Sequence, residues 1–223
     1  MEQYKKYMLT PENINKLLVE KKCDNKFNVK FKTINKDQLE SYNLINRFDR
    51  LFWTIYKIVK GDYAYETSNN FKTEKDFKIK SIEELRNIKS DIKTYKLRIN
   101  EIEDQLLNNK KINLEAFFAL ALLYKLNIFY IWDNKYYTFN CNENSDIYII
   151  KDTKEGIYIE DDNKKIEFYK ENYYNVDNLN KQIKSITNYT KDQLLVIAKK
   201  LGIEDINNNP KKQQIYEKIL TKF

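Results

Sequence analysis

The stretch NLEAFFALALLYKLNIFYIW, residues 113–132, decides the fold of this chain. Its first part, residues 113–126, mixes large apolar side chains with small alanines, which is the pattern of a buried helix. Residues 128–132 are continuously apolar and rich in aromatic and β-branched side chains, as a buried strand is. Residues 133–135 then favour a tight turn into a second strand at 136–139, so that a β-hairpin follows the helix.

Helical and strand patterns lie on both sides of this stretch. Apolar side chains at every third or fourth position predict helices, whereas short runs of Ile, Tyr and Phe predict strands. The predicted elements are helices at residues 1–22, 38–58 and 82–107, and strands at residues 27–31, 147–150, 156–160 and 166–169. Gly61 is expected to end the second of these helices. We therefore predict an α+β fold, with a helical first half and an antiparallel sheet.

The C-terminal part is predicted to be a separate small unit. Residues 173–185 are polar and predict a linker between a main domain, residues 1–172, and a module of residues 186–223. Thr190 and Gln193 have the spacing of a capping box at the start of a helix, and Gly202 suits the position after its end. Pro210 is placed to open a second helix.

This helix, extended loop and helix resemble the SAP-type module and, more loosely, the bacterial Rho N-terminal type. The resemblance is carried by residues 194–203, by Lys211 and Lys212, and by residues 215–220. Asn209 and Pro210 stand where the family has a glycine before its second helix. The resemblance implies binding of double-stranded DNA, often A/T-rich, through the second helix and the loop before it. The candidate DNA-binding residues are Lys191, Lys199, Lys200, Lys211, Lys212 and Lys218.

The charge of the chain is compatible with such a partner. The chain has 40 Lys and Arg against 33 Asp and Glu, a formal net charge of +7. Residues 186–223 hold seven Lys and four acidic residues and so carry +3 of this excess. Lysines can pair with phosphates, which positions a protein on DNA without selecting a sequence. The alternative is a helical hairpin that caps the main domain or docks on a partner protein.

The sequence disfavours the commonest kinds of enzymatic site. The chain has no histidine, which is the usual general base and the commonest transition-metal ligand. Its two cysteines, Cys23 and Cys141, are too far apart for a CxxC pair and too few for a structural zinc site. We expect no catalytic residue, no metal ligand and no cofactor. An enzyme that uses a metal held by carboxylates, for example a nuclease, is the least favoured of three hypotheses.

No membrane association is expected from the sequence. The most apolar run, residues 114–130, is interrupted by Glu115 and Lys125 and is too polar to span a bilayer. Residues 1–6 lack the apolar stretch of a secretory signal. The cysteine usage suggests a reducing compartment, so the predicted location is intracellular. The oligomeric state is not predicted.

Aromatic side chains are concentrated at the start of the predicted helix 38–58. Phe52, Trp53 and Tyr56 are candidate protein-binding residues, with burial in the core as the alternative. With the later order of helix, strand and hairpin, this region resembles papain-fold cysteine peptidases of the ovarian-tumour (OTU) type. Thr54 stands near the position of the nucleophilic cysteine of that family, and residues 155–158 offer no histidine. The resemblance therefore implies a catalytically inactive relative with a peptide-binding groove.

The chain as a whole resembles a protein family of unassigned role in the nucleocytoplasmic large DNA viruses. The resemblance is carried by residues 51–56, by residues 77–80 and by the SAP-like segment 194–220. The abundance of Lys, Asn, Ile and Tyr, which have A/T-rich codons, agrees with such a genome. The resemblance implies a viral task in transcription or genome handling, in the host cytoplasm, the viral factory or the virion.

Two non-enzymatic hypotheses for the function follow from these observations. The leading one is a non-enzymatic adaptor of a large DNA virus that binds DNA through the C-terminal module and proteins through the main domain. The alternative is a scaffold subunit of a viral transcription, translation or virion complex that binds proteins but not DNA. Salt-dependent binding to duplex DNA would distinguish the first from the second.

Overall fold

The computed structural model describes residues 44–143, 145–160, 163–179, 181–204 and 210–223. The helix predicted at residues 1–22 and the strand predicted at 27–31 lie outside the described residues. The elements are β1 (Leu44–Ile45), α1 (Arg50–Thr67), α2 (Asn70–Asn87), α3 (Lys89–Thr94), α4 (Ile99–Asn108), α5 (Leu114–Leu123), β2 (Asn127–Trp132), β3 (Lys135–Phe139), β4 (Ile147–Asp152), β5 (Ile157–Glu160), α6 (Lys165–Asn172), β6 (Tyr174–Asn175), a 3₁₀ turn (Ile186–Asn188), α7 (Lys191–Lys200) and α8 (Lys212–Leu220).

The strands form one six-stranded mixed sheet in the order β1-β5-β4-β2-β3-β6. The α+β class and the hairpin of β2 and β3 are confirmed. The prediction of a wholly antiparallel sheet is wrong, because β4 runs parallel to β2 and β6 runs parallel to β3. The chain leaves β3 beside the start of β2, crosses that end, and enters β4 on the other side. A short crossover of this kind makes β4 and β2 point the same way.

Asn127 holds this crossover in place. Its side-chain amide is almost completely buried and donates hydrogen bonds to the carbonyl oxygens of Asn142 and Ser145. Its Oδ1 accepts from the backbone N–H groups of Cys141, at 2.9 Å, and Asn142, at 3.1 Å. Asn127 therefore fixes the path of the chain from β3 to β4. This path makes β4 parallel to β2, so the sheet is mixed.

The sheet is covered on both faces. Ile128 and Tyr130 belong to the main core, which α1, α2, α4 and α5 complete. Phe129 and Ile131 point to the opposite face and pack with residues of α6. Burial on both faces explains why β2 is continuously apolar instead of alternating.

The strand predicted at residues 166–169 is wrong, because this segment is part of helix α6. Ile166 and Tyr169 are buried against the sheet, while Phe168 between them is exposed. The buried side chains are three residues apart, which is a helical spacing. The run was too short for this period to be distinguished from strand alternation.

The single long helix predicted at residues 82–107 is also wrong. The segment folds as the end of α2 followed by α3 and α4. Ile88 ends α2, and Lys96 adopts a left-handed conformation with φ of 58° between α3 and α4. Folding back places α2 and α4 in contact, which buries Leu85 and Ile102 in one core.

Helix α1 begins later than predicted but is interrupted at the predicted position. It begins at Arg50, where the Asp49 side chain caps it by accepting from the Phe52 backbone N–H. Gly61 has a non-helical backbone, with φ of 83° and ψ of 169°, so the predicted helix end at this residue is confirmed and a second helical segment continues from there to Thr67. A glycine tolerates this positive φ, so the chain can bend there without a side-chain clash.

Residues 186–223 contain a hydrophobic core of their own. Leu194, Ala198 and Leu201 of the first helix region pack with Ile215 and Ile219 of α8. The capping box at Thr190 and the positive φ of Gly202, 69°, are confirmed. The extended loop expected between the two helices falls partly on residues 205–209, which lie outside the described residues.

The predicted linker contributes to the sheet. Within residues 173–185, β6 pairs with β3, and Val176 after it is buried. The domain boundary at this segment stays a prediction. In the part of the chain that the structure describes, no helix is both long enough and apolar enough to cross a membrane.

Candidate nucleic-acid interface

The lysines predicted to bind DNA occupy two different parts of the helix pair. Lys199 lies in the last turn of α7, and Lys211 and Lys212 lie at the start of α8. These three residues, here called the connection lysines, flank the connection between the two helices. Lys199 and Lys211 are exposed and Lys212 is half-buried. Lys191 and Lys218 lie about two helical turns away from this connection, at the other ends of α7 and α8.

Lys200 is positioned differently from its neighbour Lys199. Its ammonium group donates a hydrogen bond of 3.0 Å to the backbone carbonyl of Lys170, which lies in the last turn of α6. The contact satisfies a carbonyl near a helix C-terminus, where a positive charge also interacts favourably with the helix dipole. Lys200 therefore ties α7 to the main domain, whereas the connection lysines form no ion pair among the described residues.

Two further contacts hold the helix pair against the sheet. The Lys135 ammonium group donates a 2.7 Å hydrogen bond to the Lys222 carbonyl and lies 4.7 Å from the centre of the Phe223 ring. Burial lowers the pKa of Lys135 from its ordinary value. The Cα of Gly202 faces the hairpin turn so closely that an added Cβ would lie 3.0 Å from the Asn134 side-chain nitrogen. Lys135 and Gly202 thus mark the side of the helix pair that is turned to the sheet.

The start of α8 is suited to an anion. Its first turn contains no acidic residue, and the backbone N–H of Lys211 is satisfied by the Gln214 side chain at 2.9 Å. The free N–H groups and the dipole at a helix N-terminus favour negative charge. Together with Lys211 and Lys212, this helix start can bind phosphate oxygens.

The aromatic residues predicted to bind a protein are in the core. Phe52, Trp53 and Tyr56 are buried, so the expectation that they form an open docking surface is wrong and the core interpretation is confirmed. The Arg47 guanidinium group closes the cluster, since it lies 4.2 Å from the Trp53 ring centre and 3.9 Å from the Tyr65 ring centre. Aromatic residues crowd this helix because it faces α2 and α5.

Thr54, which stands near the nucleophile position of the OTU-type peptidases, has a structural role. Its hydroxyl is buried and donates a 2.8 Å hydrogen bond to the carbonyl of Arg50 one turn earlier. In the segment 155–158, the Tyr158 hydroxyl donates to the Glu155 carboxylate. Neither segment brings a general base to Thr54. Across the described ranges, no three His, Cys, Asp or Glu side chains converge as metal ligands.

Sequence reasoning missed the most buried charged cluster of the structure. Lys78 donates to Asp49 at 2.9 Å and to Glu74 at 2.6 Å, and Asp49 also accepts from the Ile112 backbone N–H at 3.2 Å. Asp49 directly before an apolar helix is an N-cap signal that was available in the sequence. No local pattern marks Lys78, because it is one of several lysines in a mixed, basic segment.

No protein-family model, curated protein or solved structure matches the chain. The fold defines an α+β protein that carries a small helix pair with basic residues on both sides of the connection between its helices. The resemblances to SAP-type modules, to OTU-type peptidases and to a viral family stay predictions from the sequence.

Proposed function

We propose that this chain is a non-enzymatic, DNA-associated adaptor that contacts the phosphate backbone of duplex DNA through the connection lysines. The observation that carries the proposal is their position. Lys199, Lys211 and Lys212 flank the connection between the two helices of a pair that has its own core, while Lys200 and Lys222 serve the contact with the main domain.

The chemistry of the connection lysines and of the start of α8 predicts weak, sequence-independent binding. Three lysines and one helix N-terminus neutralise few phosphates, so binding releases few counterions and the affinity falls with salt. With about three phosphate contacts, the binding constant should drop by roughly 40-fold between 50 and 200 mM salt, from a slope of about −2.7. A/T-rich preference, if present, would come from the shape of the DNA and not from these lysines.

The cellular context is part of the proposal and is supported by the sequence alone. The resemblance to a family of the large DNA viruses and the A/T-biased composition favour a viral protein inside the infected cell. The scaffold alternative without DNA binding predicts a stable protein partner whose binding is insensitive to salt.

The test uses the full chain and a fluorescein-labelled, A/T-rich duplex of about 20 base pairs, with fluorescence anisotropy read over a salt series. We expect binding at low salt that is lost when Lys199, Lys211 and Lys212 are all replaced by Glu. A charge-matched control replaces Lys89, Lys93 and Lys154, three exposed lysines of the main domain, by Glu. The control should bind at nearly the wild-type level.

A second comparison separates Lys199 from its neighbour. Lys199→Gln should weaken DNA binding, whereas Lys200→Gln should lower thermal stability and leave DNA binding nearly unchanged, because its ammonium group is held by Lys170. Absence of binding at low salt, or an equal loss in the control triple variant, would remove DNA from the proposed function.

A further inference from the structure

A groove with an apolar floor lies between the start of α2 and the end of α4. Its cavity has a volume of about 500 Å³, which is in the range of sites that accept a few side chains. Three large apolar side chains line it although they are exposed to solvent: Phe48 by 64%, Phe71 by 79% and Leu107 by 56%. Here this site is called the Phe48–Phe71 groove.

Phe48, Phe71 and Leu107 differ from the other exposed apolar side chains because they line the same cavity. Scattered exposed apolar residues are normal on a protein surface, whereas several around one cavity mark an interaction site. Tyr63 and Phe168, for comparison, are 82% and 57% exposed and do not line the groove.

The buried ion pair of Asp49 and Lys78 fixes the walls of the groove. Lys78 lies on α2 and lines the cavity, and its partner Asp49 follows Phe48 directly. Asp49 also accepts from the backbone of Ile112, which follows the segment 106–110 that forms the far wall. One buried carboxylate therefore joins three separate segments of the chain. A groove held in this way is formed before a partner binds, so binding requires little ordering of its walls.

The rim of the groove is positively charged. Lys75 and Lys110 line the cavity, and the Lys111 ammonium group lies 4.7 Å from the centre of the Phe48 ring. Neither Lys75 nor Lys110 forms an ion pair with the residues the structure describes. The single carboxylate of the lining, Glu74, is already paired with Lys78 at 2.6 Å.

We propose that the Phe48–Phe71 groove binds a protein segment in which large apolar side chains are flanked by Asp or Glu. The apolar side chains would contact Phe48, Phe71 and Leu107, and the acidic ones would pair with the lysines of the rim. An amphipathic helix presents side chains at the three- and four-residue spacing that such a groove accepts. The inference is independent of DNA binding by the connection lysines.

Single-stranded nucleic acid is the other polymer that combines flat apolar groups with negative charge. It fits the groove less well for two reasons. A phosphate at every nucleotide would meet the Glu74 carboxylate, whereas a peptide can place its acidic residues at the rim alone. The exposed Leu107 offers no ring on which a base can stack, and it suits an aliphatic partner.

The experiment measures fluorescence anisotropy of a labelled synthetic peptide of about 16 residues with the full chain. Leu and Phe occupy positions i, i+4 and i+7 of the peptide, and Glu fills most of the others. A second peptide has the same composition in scrambled order, a third replaces Glu by Lys, and a labelled oligothymidylate represents single-stranded DNA. We expect binding of the first peptide, and binding of the other three at least about tenfold weaker.

Variants then locate the binding site. Phe71→Ser and Leu107→Ser should each weaken the peptide by about tenfold, as does the loss of an apolar anchor at an interface. Lys75→Glu combined with Lys110→Glu should weaken it and reduce its salt dependence. Tyr63→Ser and Phe168→Ser remove similarly exposed aromatic rings outside the groove and should leave the affinity unchanged.

Three results would overturn the proposal. The first is that the ordered peptide binds no better than its scrambled or lysine counterpart, and the second is that oligothymidylate binds more tightly than the peptide. The third is that Phe71→Ser weakens binding no more than Phe168→Ser. Replacement of the connection lysines should leave peptide binding unchanged, so failure of this proposal and failure of DNA binding are distinguishable.

Discussion

Replacing Asp49 or Lys78 should destabilise the fold strongly, because the two side chains form a buried ion pair. Asp49 is 1% exposed and Lys78 is 5% exposed, with 2.9 Å between Oδ2 and Nζ. Removing one partner of a buried pair costs about 3–5 kcal/mol, although Lys78 keeps a second partner, Glu74, at 2.6 Å. The loss in the free energy of unfolding for Asp49→Asn should lie near the lower end of this range, about 3 kcal/mol, because Asn retains an acceptor for the cap of α1.

The double variant gives the sharper test. Lys78→Met should also cost about 3 kcal/mol, since it leaves the Asp49 carboxylate buried without its cation. Asp49→Asn with Lys78→Met removes both charges together, so its cost should stay about 2 kcal/mol below the sum of the two single variants. Urea denaturation followed by circular dichroism yields the three free energies of unfolding. For a chain of 223 residues, 3 kcal/mol corresponds to a fall in the melting temperature of roughly 6–12 °C.

An exposed ion pair serves as the control. Arg98 and Glu101 are 73% and 50% exposed. Glu101→Gln should change the free energy of unfolding by less than about 0.5 kcal/mol, as is usual for surface pairs. The reasoning fails if Asp49→Asn costs no more than Glu101→Gln. It also fails if the costs of Asp49→Asn and Lys78→Met add within about 0.5 kcal/mol, because uncoupled residues behave in that way.

Three further predictions concern other parts of the fold. Asn127→Ala should lower the free energy of unfolding by about 2–4 kcal/mol in urea denaturation, because it removes four hydrogen bonds that hold the crossover before β4. Gly156→Ala should lower the melting temperature in calorimetry, since its Cβ would lie 2.7 Å from the Ile45 carbonyl oxygen and force β1 away from β5. Burial and the nearby Asp152 carboxylate raise the pKa of Tyr130, so the folded state retains a proton that the unfolded chain loses above about pH 10. Stability should therefore fall as pH rises above that value, and Tyr130→Phe should make this fall less steep in urea titrations across the alkaline range.

The elements that the sequence predicted correctly are those whose pattern is local. Residues 113–139 fold as the predicted helix, strand and hairpin, and the Asn113 side chain caps α5 by accepting from the Ala116 backbone N–H. The direction of β4 was not predictable in this way, because it depends on where the chain crosses the end of β2. The amide of Asn127 determines that path through contacts that no periodicity reveals.

In the candidate sites, too, local patterns were predictable from the sequence and contacts between distant segments were not. The sequence located Lys191, Lys199 and Lys200 on the ends of a helix, because the capping signal at Thr190 is local. The prediction that Pro210 opens the second helix is wrong, because α8 begins at Lys212 with Lys211 as its N-cap. The sequence could not separate Lys199 from Lys200, since the difference arises from a carbonyl of α6 that lies 30 residues earlier. The aromatic cluster around Trp53 was predicted to be either surface or core, and only the packing of α1 against α2 decides for core. The Phe48–Phe71 groove requires three distant segments and had no sequence signal.

The buried polar side chains of the described residues are bonded within the fold. In an enzyme, some buried polar groups are held ready for a substrate and are incompletely satisfied in its absence. Here Thr54, Asn127 and Lys135 each donate to a backbone carbonyl, and Asp49 and Lys78 satisfy each other. Among the described residues, the one buried side-chain oxygen without a hydrogen-bond partner is Oε1 of Gln182, which lines neither the Phe48–Phe71 groove nor the connection between α7 and α8. These polar groups are committed to joining elements of the fold. The two proposed contacts therefore involve side chains at the surface, which are the connection lysines and the apolar residues of the groove.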